Sequence, residues 1–318
     1  MSTVTSRPLP MLVAEVEVVR VERLSPTFVR VHLGGDALAD FGTDGPLLDQ
    51  RIKLVLPHEG GRLPSLAAVD ESWFDGWLDR PVEERGHLRT YTVRDRVGTG
   101  PDTRILVDFA LHAGDGDLGP GARWAGSAAV GDRLVVLGPR RGVPYGGIEF
   151  EPGTAERLLL AGDETAVPAI CSILSGLPAD AVGAAFLEVP RAADVQPVAH
   201  PEGVGVVWLP RDGAEHGGPL HAAVLEHLGA APAEPRGTFG DDDVDPDLWE
   251  TPTYSSSGEE VDRPVAVVGH DLAGTYAWIA GEATVVTALR RALVGELGMD
   301  RRQVAFMGYW RRGVAMRS

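Results

Sequence analysis

The chain has 318 residues, a net charge of −17 at pH 7 and one cysteine. This length exceeds what one hydrophobic core usually fills, so two domains are expected. The acidic balance excludes nonspecific binding to nucleic acid or to an anionic membrane, because either needs a basic docking face. The single Cys171 excludes an internal disulfide, a cysteine-based zinc site and an iron–sulfur cluster.

Neither a secretory pattern at the start nor an apolar run of about 18 residues is present in the sequence. We therefore expect a cytoplasmic protein without membrane insertion, and a monomer.

The first half has the pattern of short strands separated by Gly, Pro and Asp, which is typical of an antiparallel β-barrel or sandwich. Six strands are predicted, at residues 13–19, 28–33, 52–56, 89–94, 104–111 and 133–137. Residues 66–77 interrupt them and are expected to form a loop with a helical turn.

The fourth predicted strand carries Arg89, Thr90, Tyr91 and Thr92. Side chains alternate along a strand, so Arg89 and Tyr91 share one face while the two threonines share the other. An aromatic ring, a hydroxyl and a guanidinium in this order suit the ring, the polar edge and the pyrophosphate of a flavin. The same residues are also ordinary β-sheet composition, so the stretch alone leaves both interpretations open.

The strand at residues 104–111 is followed by a glycine-rich loop and a helix. The turn at Gly119 and Pro120 would leave backbone N–H groups of the helix unpaired, and such groups bind phosphate. A plain strand-to-helix connection is the alternative.

From about residue 154 the pattern changes to buried strands that alternate with helices, which predicts a Rossmann-like parallel sheet. Strands are expected at 158–161, 184–189, 204–209, 276–280 and 304–308, and helices up to Leu174, at 220–228 and at 283–297. The division is therefore 1–152 and 153–318.

Two turns of this half lie at the predicted carboxyl edge of the sheet, where ligands of such folds bind. The first contains Gly162, Asp163, Glu164 and Thr165, in which Glu164 replaces the second glycine of a dinucleotide fingerprint. This favours a transiently bound nicotinamide over a permanent dinucleotide. The second turn contains Ala280, Gly281 and Glu282.

The stretch from 230 to about 263 is predicted to be an acidic surface insertion. Its part from Ala231 to Arg263 has ten acidic residues and two arginines, a net charge of −8. The end of the chain is basic, with five arginines against Asp300 from that residue onward.

Seven segments in order resemble the siderophore-interacting protein family, the flavin-dependent ferric-siderophore reductases, which are similar to ferredoxin–NADP reductases. The segments are Asp49–Leu54, Arg89–Thr92, Val107–His112, Gly119–Ala125, Gly162–Ala169, Trp278–Ala283 and Gly308–Gly313. The resemblance implies a flavin-binding β-barrel followed by a nicotinamide-binding α/β domain, with FAD as cofactor and NADPH or NADH as donor. It implies a ferric siderophore as substrate, with ferredoxin as a further potential partner.

The resemblance also implies the cofactor-binding residues. FAD would be held by Arg89, Thr90, Tyr91 and Thr92, by Asp108, Phe109, Ala110 and His112, and by Gly119, Pro120, Gly121, Ala122 and Trp124; the nicotinamide would lie between Gly162–Thr165 and Ala280–Glu282. Relatives commonly carry Ala-Ser where this chain has Gly121 and Ala122, which removes one hydroxyl donor at a cost of about 1 kcal/mol.

An anionic iron chelate needs local cations, and the candidates are Lys53, Arg140 and Arg311, with Arg141 and Arg312 as substitutes. A 2′-phosphate of NADPH could meet Arg191 or Arg211. No metal-ligand set and no catalytic acid or base is expected. Two alternatives stay open: a siderophore-binding protein without catalysis, and a general flavin or ferredoxin-linked reductase.

Overall fold

The structure is a computed structural model that describes residues 11–58, 63, 77–111, 118–230, 249–251, 254–255 and 272–313. Two sheets dominate the fold, one in each half of the chain. No helix in these ranges is long and apolar enough to cross a membrane.

The first sheet is antiparallel and has seven strands in the order β4-β3-β7-β1-β2-β6-β5. Its strands are β1 (Met11–Arg23), β2 (Phe28–Gly34), β3 (Arg51–Leu56), β4 (His87–Thr92), β5 (Asp95–Val97), β6 (Arg104–Ala110) and β7 (Arg133–Pro139). The described residues beside this sheet include the helices α1 (Val82–Arg85) and α2 (Pro120–Ser127) and 3-10 turns at Asp36–Asp40 and Gly100–Asp102.

Alternation along the strands builds the core of this sheet. In β1, Leu12, Ala14 and Val16 are buried while Glu15 between them is exposed, as expected for a strand with one face on a core. The buried face packs against apolar residues of β2, β3, β6 and β7. The prediction of an antiparallel barrel-type sheet is confirmed, although the short β5 makes seven strands where six were predicted.

The second sheet has seven strands in the order β10-β9-β8-β13-β14-β11-β12, of which the first five are parallel. Its strands are β8 (Arg157–Gly162), β9 (Gly183–Val189), β10 (Val204–Pro210), β11 (Trp249–Thr251), β12 (Tyr254–Ser255), β13 (Thr275–Glu282) and β14 (Val304–Trp310). The helices are α3 (Val167–Gly176), α4 (Gly218–His227) and α5 (Ala283–Arg290), with 3-10 turns at Ala192–Asp194 and Arg301–Gln303.

The predicted parallel α/β half is confirmed, with two differences. The helix predicted at 283–297 becomes a π-helix at Arg291–Glu296. The stretch predicted to be an acidic insertion contributes β11 and β12, which extend the sheet beyond β14 in antiparallel pairing. The rest of that stretch lies outside the described residues, as do residues 66–76 of the predicted loop.

Apolar and polar contacts join the two halves. Phe28 of β2 and Phe150 are buried in the same cluster as α3 and the parallel sheet. The carboxylate of the fully buried Asp49 accepts hydrogen bonds from the backbone of Glu149 and Phe150 and from Trp278 Nε1 of β13, at 3.1 Å. A buried charge with three donors ties the first half to a central strand of the second.

A second buried carboxylate also links the two halves. Asp194 accepts from Ser25 Oγ at 2.6 Å and from the N–H and Oγ1 of Thr27 at 2.9 and 2.8 Å. Asp194 has no exposed surface, so these bonds hold the loop after β9 against the first sheet.

Candidate functional site

The edge strand β4 presents an aromatic group beside α2. The ring of Tyr91 lies 4.3 Å from that of Phe109 on β6, and Phe109 lies 5.5 Å from Trp124 on α2. Phe109 is fully buried, whereas Tyr91 and Trp124 are half-buried. Burial raises the pKa of Tyr91, so its hydroxyl stays protonated.

Gly121 on α2 lets the Tyr91 hydroxyl approach the helix. A Cβ built at this position would lie 1.8 Å from Tyr91 Oη, a distance that no side chain tolerates. The departure from the Ala-Ser of relatives therefore makes room for this tyrosine, in addition to removing a hydroxyl. Ala122, which follows, is buried.

The other side chains of β4 alternate as predicted. Arg89 points to the Tyr91 face, donates to the Leu88 carbonyl at 2.8 Å and has its pKa lowered by burial. On the opposite face Thr90 accepts from Lys53 Nζ at 2.6 Å, and Thr92 is buried. The structure therefore places Arg89 with the aromatic group, whereas Thr90 and Thr92 lie on the other side of the strand.

The predicted site residues on β6 make contacts within the protein. Asp108 is buried, and its two oxygens accept from Nε and NH2 of Arg30 at 2.7 and 2.8 Å. Ala110 packs against the cluster between the two halves. His112 lies outside the described residues.

The N-terminus of α2 has the predicted form. Its N-cap is Gly119, which makes no side-chain capping bond, and Pro120 is the first helical residue. Arg123 of the first turn donates to the Leu118 carbonyl at 2.9 Å. Neither Arg89 nor Arg123 is paired with a carboxylate in the part of the chain that the structure describes.

In the second half, the strand order reverses between β8 and β13, so their carboxyl ends form the crevice where ligands of such sheets bind. Gly162 ends β8, and Gly281 lies near the end of β13 after the buried Ala280. A Cβ at Gly281, which has a φ of +146°, would lie 2.7 Å from the Asp163 carboxyl carbon. Glycine here permits the close approach of the two turns.

Asp163 is the centre of this crevice. Its carboxylate accepts from the N–H and Oγ1 of Thr165 at 2.8 and 2.5 Å, from the Glu282 N–H at 2.7 Å and from Trp310 Nε1 at 3.0 Å. Burial opposes its ionisation, but the nearby imidazole of His216 and the hydrogen bonds from Thr165 outweigh burial and hold the pKa of Asp163 below its usual value. Asp163 thus joins the ends of β8, β13 and β14.

Glu164 belongs to a buried ion-pair network. Arg211 donates to both of its oxygens, at 2.7 and 3.1 Å, and to Glu188 Oε1 at 3.0 Å. Glu188 also accepts from the N–H groups of Gly217 and Leu220, which begin α4. The position that lacks the fingerprint glycine therefore carries a carboxylate neutralised by Arg211.

His216, from the loop before α4, is the second cation of this network. Its Nε2 lies 3.4 Å from Asp163 Oδ2 and 3.7 Å from Glu164 Oε2, and its ring lies 5.4 Å edge-on from Trp310. Burial opposes its protonation, but the two carboxylates outweigh burial and raise the pKa of His216 to about 10. The imidazole is therefore charged at neutral pH.

Glu282 closes the crevice at the other turn. Its side chain accepts from the N–H groups of Thr284 and Val285, at 2.7 and 3.1 Å, and so caps α5. It also accepts from the Arg312 N–H at 3.2 Å. The predicted nicotinamide residues are brought together, but their carboxylates hold the protein's own strand and helix ends.

The predicted substrate cations lie on different elements. Lys53 is exposed on β3, and Arg140 follows β7 with its NH1 3.5 Å from Asp40 Oδ2. Arg311 follows β14 and is half-buried. Of the two arginines considered for a 2′-phosphate, Arg211 forms ion pairs with Glu164 and Glu188, whereas Arg191 is exposed after β9.

Two family models match the chain. A siderophore-interacting FAD-binding domain matches residues 17–143, and the siderophore-interacting protein model matches residues 155–313. The chain belongs to the siderophore-interacting protein family. The match covers both sheets, so the resemblance found in the sequence is confirmed.

Two relatives and one solved structure are similar to this chain along much of its length. Ferric vibriobactin reductase ViuB of Vibrio cholerae is 29% identical over 98% of this chain and 93% of its own. The NADPH-dependent ferric-chelate reductase of Escherichia coli is 31% identical over 62% of this chain and 71% of its own. A siderophore utilization protein from T. fusca has a solved structure that is 31% identical, covers 99% of this chain and 98% of its own, and superposes with a TM-score of 0.65.

The residues of the first half fit the FAD that this family's domain binds. An aromatic ring on an edge strand, a helix N-terminus without a side-chain cap and two arginines that pair with no carboxylate among the described residues are the kinds of group that bind a flavin ring and its phosphates. The sequence did not indicate His216 or Arg123, and it did not show that Arg211 pairs with Glu164 and Glu188. None of these residues belongs to a recognisable motif.

Proposed function

We propose that the chain is a ferric-siderophore reductase that binds FAD, oxidises NAD(P)H and releases iron as Fe(II). The reductase names of the Vibrio cholerae and Escherichia coli relatives support this activity. We also propose that the FAD-binding unit is 1–152 and the NAD(P)H-binding unit 153–318.

The observation that carries the proposal is that buried contacts link the two sheets, each of which has an edge where we propose that a ligand binds. The aromatic edge of β4 belongs to the first sheet, and the crevice between β8 and β13 belongs to the second. Asp49 bonds to Trp278 of β13, and Asp194 bonds to Ser25 and Thr27 beside β2, so buried polar contacts link both sheets. Electron transfer between two bound molecules needs such a constant relation.

FAD, when bound, accepts an electron pair and passes electrons on singly, which a nicotinamide alone does not do. The protein's residues hold and orient the reactants. Arg89 and the N-terminus of α2 would hold the phosphates, and Tyr91 would support the ring. Thr90, Thr92, Asp108 and Phe109 stabilise the strands from which these groups project.

The reaction balances without a protein acid or base. One NAD(P)H becomes NAD(P)⁺ and a proton and gives two electrons, which convert two Fe(III) to two Fe(II). Oxygen-rich chelators hold Fe(III) far better than Fe(II), so reduction frees the metal.

The substrate is an anion docked by cations, for which we propose the exposed Lys53 and the half-buried Arg140 and Arg311. Lys53 is best supported, because it lies on the strand next to β4 and bonds to Thr90. Asp40 partly neutralises Arg140, so a chelate would compete with that carboxylate.

We propose NADPH as the preferred donor, with Arg191 binding its 2′-phosphate. Arg191 is exposed at the end of β9, the second strand of the parallel sheet in chain order, where folds of this kind bind the adenosine ribose. Glu188 and Asp194, two buried carboxylates nearby, both accept hydrogen bonds from within the protein, so neither of these two is available to a free 2′-hydroxyl.

The test is an anaerobic titration of the purified protein loaded with FAD. Bleaching of the flavin is followed with NADPH and with NADH, and ferric hydroxamate or catecholate chelates are then added with a ferrous trap. The proposal expects bleaching and then reoxidation with ferrous iron formed. Bound flavin that no chelate reoxidises would leave a general flavin reductase, and chelate binding without flavin would leave a binding protein.

A further inference from the structure

His87 begins β4, two residues before Arg89 and four before Tyr91, so the three side chains point to the same face of the strand. Successive members of this row are about 7 Å apart, from the rise of a strand. Gly86 directly precedes the strand and has a φ of +70°, and a Cβ there would lie 2.5 Å from the Leu56 carbonyl oxygen. The start of the row is therefore fixed by backbone packing.

His58 supports His87 from the end of β3. The two imidazole rings lie 4.3 Å apart at 74°, edge to face. His58 Nε2 donates to the Val82 carbonyl at 2.8 Å, which holds the ring beside the first residue of α1. Neither ring nitrogen of His87 has a hydrogen-bond partner among the residues that the structure describes.

The surroundings of His87 are cationic. Burial lowers the pKa of His87, and the charges of His58, Arg89 and Arg123 lower it further. These groups come from the end of β3, from β4 and from α2, and no carboxylate in the described ranges pairs with Arg89 or Arg123. Cations held together without counter-charges form a site for an anion.

We propose that His87, oriented by His58, binds the diphosphate of FAD together with Arg89 and Arg123. This inference rests on the proposed function, since it assigns a further contact of that cofactor. Tyr91 supports the ring at one end of the row, and His87 lies toward the adenosine half at the other. The chain's binding of FAD in preference to riboflavin then depends on a histidine that no motif marks.

Binding of the diphosphate should be coupled to the uptake of a proton by His87. An anion stabilises the charged imidazole, so His87 takes up a proton when FAD binds in the pH range where the free ring is neutral. Riboflavin has no phosphate and brings no such charge.

Titration calorimetry of the flavin-free protein tests this. FAD is titrated at pH 7 in two buffers of different ionisation enthalpy, with riboflavin as the matched ligand. We expect proton uptake with FAD and none with riboflavin. Equal values for the two ligands would overturn the inference without any variant being made.

Variants test whether His87 is the group that takes up the proton. His87→Asn should weaken FAD binding about tenfold or more, the loss of one charge-assisted hydrogen bond, and abolish the uptake, with riboflavin affinity unchanged. His32→Asn, a histidine of the same sheet that contacts Glu22, is the control and should change neither value. His87→Asn with unchanged FAD affinity and proton uptake refutes the inference while the reductase proposal stands. A wild-type protein that binds no FAD refutes the proposed function instead.

Discussion

Removal of the Arg211 guanidinium should destabilise the protein strongly. Arg211 is the only arginine among the described residues that bonds to Glu164 and Glu188, whose side chains are 2% and 0% exposed. Breaking a buried pair by removing one partner costs about 3–5 kcal/mol, because the other charge stays buried without compensation.

The structure places the value for Arg211→Met at the lower end of that range. Glu188 keeps two backbone N–H donors at the start of α4, and Glu164 keeps His216 at 3.7 Å. We expect a loss of about 3 kcal/mol in the free energy of unfolding. Neutralising the carboxylate in the double variant Arg211→Met with Glu164→Gln should recover more than about 1 kcal/mol of it.

Urea unfolding followed by far-UV circular dichroism gives these free energies. Arg191→Met, at an exposed arginine of the same sheet edge, is the control and should change stability by less than about 0.5 kcal/mol. A loss below about 1 kcal/mol for Arg211→Met, or no recovery in the double variant, would show that the network does not hold the crevice together.

Three further predictions concern the same crevice. The pKa of His216 is raised from 6.5 to about 10 on folding, so its stabilising contribution is full below about pH 6.5 and falls as the pH rises toward 10, by up to about 1.4 kcal/mol per pH unit; urea midpoints between pH 7 and 9.5 should show this decline, and a His216→Gln variant that declines equally would contradict it. Gly281→Ala should lower stability by about 2 kcal/mol or more, because its Cβ would meet the Asp163 carboxylate, whereas Gly126→Ala in α2, which has open space around it, should raise stability by about 0.5–1 kcal/mol; thermal melts compare the two, and equal melting temperatures would speak against the packing. Arg191→Ala should weaken NADPH binding about tenfold and leave NADH unchanged, as measured by titration of the oxidised nucleotides; an equal effect on both nucleotides would remove Arg191 from the 2′-phosphate site.

Much of the fold could be predicted because side-chain burial follows simple periods. The alternating residues of β1 predicted an antiparallel sheet with one face on a core, and the continuous apolar run of β8 predicted a parallel sheet covered on both faces. The missed strand β5 consists of Asp95, Arg96 and Val97, all exposed, so its sequence contains no burial pattern to detect. β11 and β12 are two or three residues long and lie in a stretch whose acidic composition favoured an insertion.

The sequence predicted where the candidate site residues lie on the sheets, but not which partners in the protein their side chains contact. Tyr91 and Arg89 share a face as the alternation requires. Asp108, Asp163 and Glu282 lie on the strands and turns that were expected, yet their carboxylates bond to Arg30, Trp310 and the α5 N-terminus. Such partners are far apart in sequence and come together only through the sheet order, which no single segment encodes.

The stoichiometry of the anaerobic reaction tests the central claim most directly. Purified protein with bound FAD is supplied with NADPH and an excess of a ferric siderophore, and ferrous iron is measured with a trap alongside NADPH oxidation. The account predicts two Fe(II) for each NADPH oxidised, at a rate that saturates with the chelate. NADPH oxidation without ferrous iron, or ferrous iron formed equally fast without the protein, would contradict it.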